Sequence, residues 1–109
     1  MEWLQLVPYF FGGVLLTNAV PHVISGVKGK PFQTPFAKPR GQGLSSSTVN
    51  VLWGFFNLFI GYVLIYRVGD FDLKRISDVI PFALGALVLS LFLARHFGRF
   101  NGGNTSEPS

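Results

Sequence analysis

The chain has 109 residues, of which 49% are hydrophobic, 16% aromatic and only 13% charged. Soluble domains carry about 25% charged residues, so this composition excludes an ordinary soluble domain, and the length excludes a multidomain enzyme. The chain contains no cysteine, which excludes disulfides, iron–sulfur clusters and cysteine-based zinc sites. A formal net charge of +4 suits either an anionic membrane surface or a nucleic acid, and the positions of the charges decide between them.

Three long segments without Asp, Glu, Lys or Arg indicate the architecture: residues 3–27, 41–66 and 79–94. As helices they would be about 37, 39 and 24 Å long, against a hydrocarbon layer of about 30 Å. Ile76 and Phe97 extend the third segment, and the flanking arginines can reach the headgroups at its two ends. We therefore predict an all-α integral membrane protein with three transmembrane helices in a small bundle, spanning about residues 4–26, 48–66 and 77–96.

Proline and capping residues set the expected helix ends. Pro21 lies inside the first span, where it would release the carbonyl of Thr17 and kink or end the helix, so an end near Val20 is an alternative. Residues 101–109 contain mainly Gly, Asn, Thr, Ser and Pro and are predicted to be a disordered tail. The expected N-caps of the second and third helices come from Ser45, Ser46, Ser47 and Thr48, and from Ser77 or Asp78.

The basic residues predict an orientation. Three lie between the second and third spans, and six follow the first and third spans: Lys28, Lys30, Lys38, Arg40, Arg95 and Arg99. The positive-inside rule then places the N-terminus outside and the C-terminus inside. Anionic headgroups account for the positive charge, so no nucleic-acid partner is expected. A short chain whose targeting information lies in its spans fits a bacterial plasma (inner) membrane.

Polar and small residues form a stripe on each of the first two helices. Asn18 and His22 lie one turn apart on the first, and Asn50, Gly54, Asn57 and Gly61 follow the same spacing on the second. Because the two helices are antiparallel, Asn18 and Asn57 should meet at about 13–14 Å depth. By the same count, His22 should lie near Trp53 and Gly54, and Ser25 near Asn50. The pattern predicts an intramembrane polar cluster of Asn18, His22, Asn50 and Asn57. The alternative is a packing role, in which the amides hydrogen-bond across helices and the small residues permit close approach.

The third helix carries a further small-residue stripe. We predict helix packing through Gly54, Gly61, Ala83, Ala86 and Ser90. His96 falls on the same side of the membrane as His22, so the two imidazoles can converge on a haem or a metal ion. Two histidines without a carboxylate or a third ligand do not make a metal site, and we assign no metal and no cofactor.

The loop of residues 28–47 is basic and rich in proline and glycine. Prolines 31, 35 and 39 forbid a regular helix and favour extended or turn segments. Phe32 and Phe36 are expected to dip into the membrane interface, and the cations to contact anionic lipid: Lys28, Lys30, Lys38 and Arg40. Residues 41–43 read Gly-Gln-Gly before a helix N-terminus, which suits either a phosphate cradle or a hinge followed by an N-cap.

No catalytic constellation is present, because the acidic residues all lie outside the three uncharged segments and none pairs with a nucleophile or a metal-binding group. We therefore expect a protein that is not an enzyme and that acts by helix association, as an accessory subunit, an assembly partner or a homo-oligomer. One alternative is an oligomeric small transporter or channel with a polar path around His22 and Asn57. A more distant alternative is a membrane protein with a histidine-ligated haem or metal.

Overall fold

A computed structural model describes residues 2–105, with side chains from Leu4 onward. Three long helices dominate it: α1 (Glu2–Val27), α2 (Ser47–Tyr62) and α3 (Ile76–Asn101). A π-helical turn, Val63–Val68, continues α2 directly. All three helical segments are long and apolar enough to cross a membrane, and α1 packs against both of the others. The predicted bundle of three helices that are long and apolar enough to span a membrane is therefore confirmed.

Helix α1 runs through both of its prolines, Pro8 and Pro21. It ends after Val27, where Gly29 adopts a φ of +72° and donates its N–H to the carbonyl of Gly26 at 3.0 Å. A positive φ favours glycine, which has no Cβ to clash in that conformation. The alternative of a helix end near Val20 is therefore wrong. Proline is tolerated inside spanning helices because neighbouring helices and small adjustments satisfy the freed carbonyl.

The loop between α1 and α2 folds into a small hairpin. Its strands, β1 (Phe32–Gln33) and β2 (Leu44–Ser45), pair antiparallel, with Phe32 opposite Ser45. The prediction that its prolines favour extended and turn segments is confirmed. The expectation that Phe32 dips into the interface is wrong, because its ring packs inward against Phe97 at 4.6 Å between centroids.

The two later helices begin differently. Ser46 is the N-cap of α2, and its hydroxyl accepts a hydrogen bond from the N–H of Val49 at 3.2 Å, within the predicted set of caps. Helix α3 has Arg75 at its N-cap position instead of Ser77 or Asp78, so that prediction is wrong. Asp78 lies inside the first turn, and its carboxylate accepts from the backbone N–H of Asp72 at 3.0 Å.

Helix α3 continues beyond the predicted end at residue 96 and stops at Asn101, followed by Gly102 with a φ of +78°. The chain then folds back, and the side-chain amide of Asn104 donates to the carbonyl of Arg95 at 3.0 Å. Helix α3 thus includes the first residue of the segment 101–109, whose disorder stays a prediction. The remainder of that tail, residues 106–109, lies outside the described residues.

Glycines set the helix crossings. A Cβ added to Gly61 would lie 2.8 Å from Leu16 Cδ2, and one added to Gly54 would lie 3.2 Å from the carbonyl oxygen of Ala19. Both glycines therefore face α1 closely, in line with their expected packing role. Helix α3 meets α1 through buried Gly85, beside the carbonyl of Phe10.

The packing stripe expected on α3 needs a correction. Ala83 and Ser90 are exposed, and only Ala86 of the predicted set lies close to α1. The buried face of α3 consists instead of Asp78, Pro81, Gly85 and Gly98. Small residues lie on two sides of this helix, and glycine permits the closer backbone approach to α1.

Candidate functional site

The first half of the predicted polar cluster is a pair of asparagines between α1 and α2. The side-chain amide of Asn18 donates to Oδ1 of Asn57 at 3.1 Å. Asn57 is buried, and its own amide donates to the carbonyl of Trp53 at 2.8 Å. The two asparagines thus meet as the antiparallel register predicts, and one hydrogen bond joins them without any charge.

The second half, one turn nearer the loop, is a hydrogen bond of 2.7 Å between His22 Nδ1 and Asn50 Oδ1. Asn50 is fully buried, and its amide nitrogen donates to three backbone carbonyls, those of Phe32, Ser45 and Ser46. A carbonyl can only accept, so these three contacts fix the amide and leave Oδ1 facing the imidazole. His22 Nδ1 therefore carries the hydrogen, and Nε2 is the acceptor of the neutral ring.

The four predicted cluster residues thus form two hydrogen-bonded pairs in one interface. The depth arithmetic placed His22 beside Trp53 and Gly54, and its ring does lie 6.4 Å from that of Trp53. Its hydrogen-bond partner, however, is Asn50, which the antiparallel register predicts beside Ser25. The long reach of the imidazole and of the amide bridges this difference of about one turn.

The hairpin adds polar residues that sequence reasoning missed. Thr34 is buried, and its hydroxyl lies 2.5 Å from that of Ser45. Gln33 is buried as well, with 8% of its surface exposed. Both lie between Pro31 and Pro35. Their polar side chains in this proline-rich segment were the sequence feature that could have indicated a polar site in the loop. From the sequence alone, however, the same two polar residues are equally typical of a solvent-exposed loop.

His96 ties α3 to this loop. Its Nε2 lies 2.6 Å from the carbonyl oxygen of Gly41, so Nε2 carries the hydrogen and donates. Its Nδ1 accepts from the guanidinium of Arg99 at 3.2 Å. Neither ring nitrogen of His96 retains a free lone pair in this arrangement. Among residues 2–105 there is no group of three or more His, Cys, Asp or Glu that could hold a metal ion.

Both histidines line one cavity of about 300 Å³ between the loop and the helices. The lining includes the aromatic rings of Trp53, Phe92 and Phe97 and contains no Asp, Glu, Lys or Arg. Two buried polar atoms of lining residues, Gln33 Oε1 and Trp53 Nε1, have no hydrogen-bond partner within the described part of the chain. The cavity is therefore apolar and aromatic, with a few inward polar groups, as small-molecule sites are.

The Gly-Gln-Gly segment before α2 is not a phosphate cradle. The N–H of Gly41 donates to the carbonyl of Thr34, and those of Gln42 and Gly43 both donate to the carbonyl of Pro39. Because its amides are used within the loop, none points outward to an anion. The four cations expected to contact lipid are all exposed: Lys28, Lys30, Lys38 and Arg40.

The opposite end of the bundle is charged. The backbone N–H of Asp70 donates to the hydroxyl of Tyr9 at 3.0 Å, and Arg75 Nε donates to Asp78 at 2.8 Å. This hydrogen bond with Asp78 raises the pKa of Arg75 above its ordinary value. Asp78 is buried at this end, with only 6% of its surface exposed.

Comparison of the chain with protein-family models, with curated proteins and with solved structures finds no match.

Proposed function

We propose that this chain is a small three-span membrane protein that acts by helix association, as an accessory subunit, an assembly partner or a homo-oligomer. The observation that supports this proposal is the outer face of α3. Ala83, Ser90 and Ala94 share that face and are exposed, although small residues elsewhere in the bundle serve close helix contacts. A face of small residues lets a second helix approach within backbone distance.

Ser90 suits such a contact because its own hydroxyl is satisfied. Its Oγ donates to the carbonyl of Ala86 at 2.7 Å, so the residue presents a small surface without requiring a polar partner. Helix α3 is also the least covered of the three spans, with 11% of its most apolar window buried, compared with 22% and 28% for the other two. The remaining area is available to lipid or to another helix.

The proposed orientation has the N-terminus outside and the loop inside, in a bacterial plasma membrane with anionic headgroups. The hydrogen bond between His96 and Gly41 supports this proposal, because it puts the loop and the end of α3 at the same end of the bundle. The exposed loop cations thereby share one end with Arg95 and Arg99. An excess of basic residues at one end is the pattern of a cytoplasmic face.

Native mass spectrometry of the protein extracted in dodecyl maltoside tests the association. We expect a defined complex, and we expect the double variant Ala83→Leu/Ser90→Leu to lose it, because leucine holds the backbones apart. Val88→Phe adds bulk to another exposed position of the same helix and should leave the complex intact. A wild-type chain that is only monomeric, or a complex that survives the double variant, would refute the proposal.

A pore-forming homo-oligomer is the second candidate. It is favoured by the two polar pairs, Asn18 with Asn57 and His22 with Asn50, which stack along the same helix interface. Within one chain these groups satisfy each other, so a path would have to form between copies. Ion flux in liposomes is the deciding measurement, and a defined homo-oligomer without flux excludes this candidate.

A further inference from the structure

Two residues that line the cavity between the loop and the helices carry buried polar atoms without a hydrogen-bond partner in the described part of the chain. These atoms are Gln33 Oε1 and Trp53 Nε1. A buried polar group without a hydrogen bond loses the partner that water would provide, and a bound ligand can restore it. We propose that this cavity binds a small uncharged aromatic molecule that carries a hydroxyl group.

The hydroxyl group follows from the two unsatisfied atoms. The indole N–H of Trp53 can only donate, and the carbonyl oxygen Oε1 of Gln33 can only accept. A hydroxyl does both, since it donates one hydrogen and accepts at its lone pairs. An ether or a ketone would leave the Gln33 oxygen unsatisfied.

The absence of charge follows from the lining. None of the residues lining the cavity is Asp, Glu, Lys or Arg, so an ion would enter without a counter-charge. Burying an unpaired charge is far more costly than burying a neutral hydrogen-bonded group. A carboxylate or a phosphate would also have no hydrogen to donate to Gln33. The chemistry of the walls thus selects a neutral molecule.

Size and shape select an aromatic ring. The cavity measures about 300 Å³, roughly ten times the ~30 Å³ that a water molecule occupies in the liquid, which suits one substituted ring and not a whole lipid. Aromatic rings already meet edge to face here, with the His22 ring 6.4 Å from those of both Trp53 and Phe97. A planar ring extends such an arrangement favourably.

The route of entry is apolar. Phe92 lines the cavity and is also 60% exposed on the surface of α3, so the cavity borders the face that a membrane would cover. At 100° per residue, Phe92 lies about half a turn around α3 from the exposed Ala83 and Ser90. The inference is therefore independent of the proposed association, and either one can fail without the other.

Titration of the full-length protein in micelles, followed by the indole N–H resonances of ¹⁵N-labelled tryptophan, tests the proposal. The chain has two tryptophans, and a Trp3→Phe variant assigns the signal of Trp53. The probe is 4-ethylphenol, and its isomer 4-methylanisole is the matched control without a hydroxyl donor. We expect saturable movement of the Trp53 signal and about tenfold weaker binding of the isomer, which corresponds to one lost hydrogen bond.

Two variants locate the acceptor. Gln33→Met removes the acceptor at similar size and should abolish the difference between the two isomers. Gln42→Met makes the same change at an exposed loop position outside the cavity and should preserve it. Equal midpoints for the two isomers in the wild-type chain, or no saturation by 4-ethylphenol, overturn the proposal even if Gln33→Met fails to fold. A preference that persists in folded Gln33→Met overturns it as well.

Discussion

At the loop end of the bundle, Asn50 holds His22 and three loop carbonyls through uncharged groups, whereas at the opposite end Arg75 pairs with carboxylates of Asp70, Asp72 and Asp78. The neutral network begins inside α1 and α2. The charged one centres on Arg75, just before α3 begins. Charges are costly within an apolar layer, while neutral amides can satisfy each other there. The neutral network thus lies between two apolar helices, whereas the charged network centres on a half-exposed arginine.

The largest expected effect comes from breaking the neutral network. Asn50→Leu leaves His22 Nδ1 and the carbonyls of Phe32, Ser45 and Ser46 without their partner. We expect the free energy of unfolding in mixed micelles to fall by about 3 kcal/mol, since unsatisfied buried groups cost about 1–3 kcal/mol each. Asn101→Leu, the same change at an exposed position, should cost less than about 0.5 kcal/mol. Equal losses in the two variants would contradict a loop held by Asn50.

A smaller effect is expected at the charged end. Asp78→Asn weakens two hydrogen bonds at Oδ2, one from the N–H of Asp72 and one from Arg75. We expect a loss of about 1 kcal/mol, because the amide keeps an oxygen in nearly the same place but loses the charge. Asp70→Asn is the matched control, since the side chain of Asp70 is 91% exposed. If both variants lose the same free energy of unfolding, the buried carboxylate of Asp78 does not stabilise this end of the bundle.

The smallest expected effect is a difference in salt dependence between the two ends of the bundle. Raising the salt from 0.1 M to 1 M shortens the Debye length from about 10 Å to about 3 Å. The stability difference between wild type and Asp78→Asn should therefore shrink slightly, because half-exposed Arg75 is screened by ions. The difference between wild type and Asn50→Leu should not change. A salt effect of the same size at both ends would mean that the comparison of neutral and charged chemistry is mistaken.

The sequence predicted the parts of the fold that depend on length and periodicity. Segments without charge predict the three helices because the first two are long enough to cross the hydrocarbon layer and apolar flanking residues extend the third. The contact of Asn18 with Asn57 was predictable because antiparallel helices that share a boundary fix relative depth. Both inferences need only the rise per residue and no knowledge of which faces pack.

The missed features all depend on contacts between distant residues. Residues on either side of α3 are small, and only the crossing with α1 selects Gly85 over Ala83. The inward turn of the loop requires the partners of Thr34 and Gly41, namely Ser45 and His96. Local proline spacing carries no information about these partners, so the cavity that they enclose could not be foreseen.

The π-helical turn Val63–Val68 makes the contacts after it depend on chain length as well as on residue type. An α-helix advances 3.6 residues per turn, so deleting one residue here would rotate everything that follows by about 100° about the axis. The N–H of Gly69 donates to the carbonyl of Leu64 at 2.9 Å, and that of Asp70 to the hydroxyl of Tyr9. A deletion within the turn would leave Tyr9 and Asp70 in the sequence but rotate Asp70 away from the hydroxyl of Tyr9. The contacts at the charged end of the bundle therefore depend on the rotation of the helix about its axis as well as on the types of residue present.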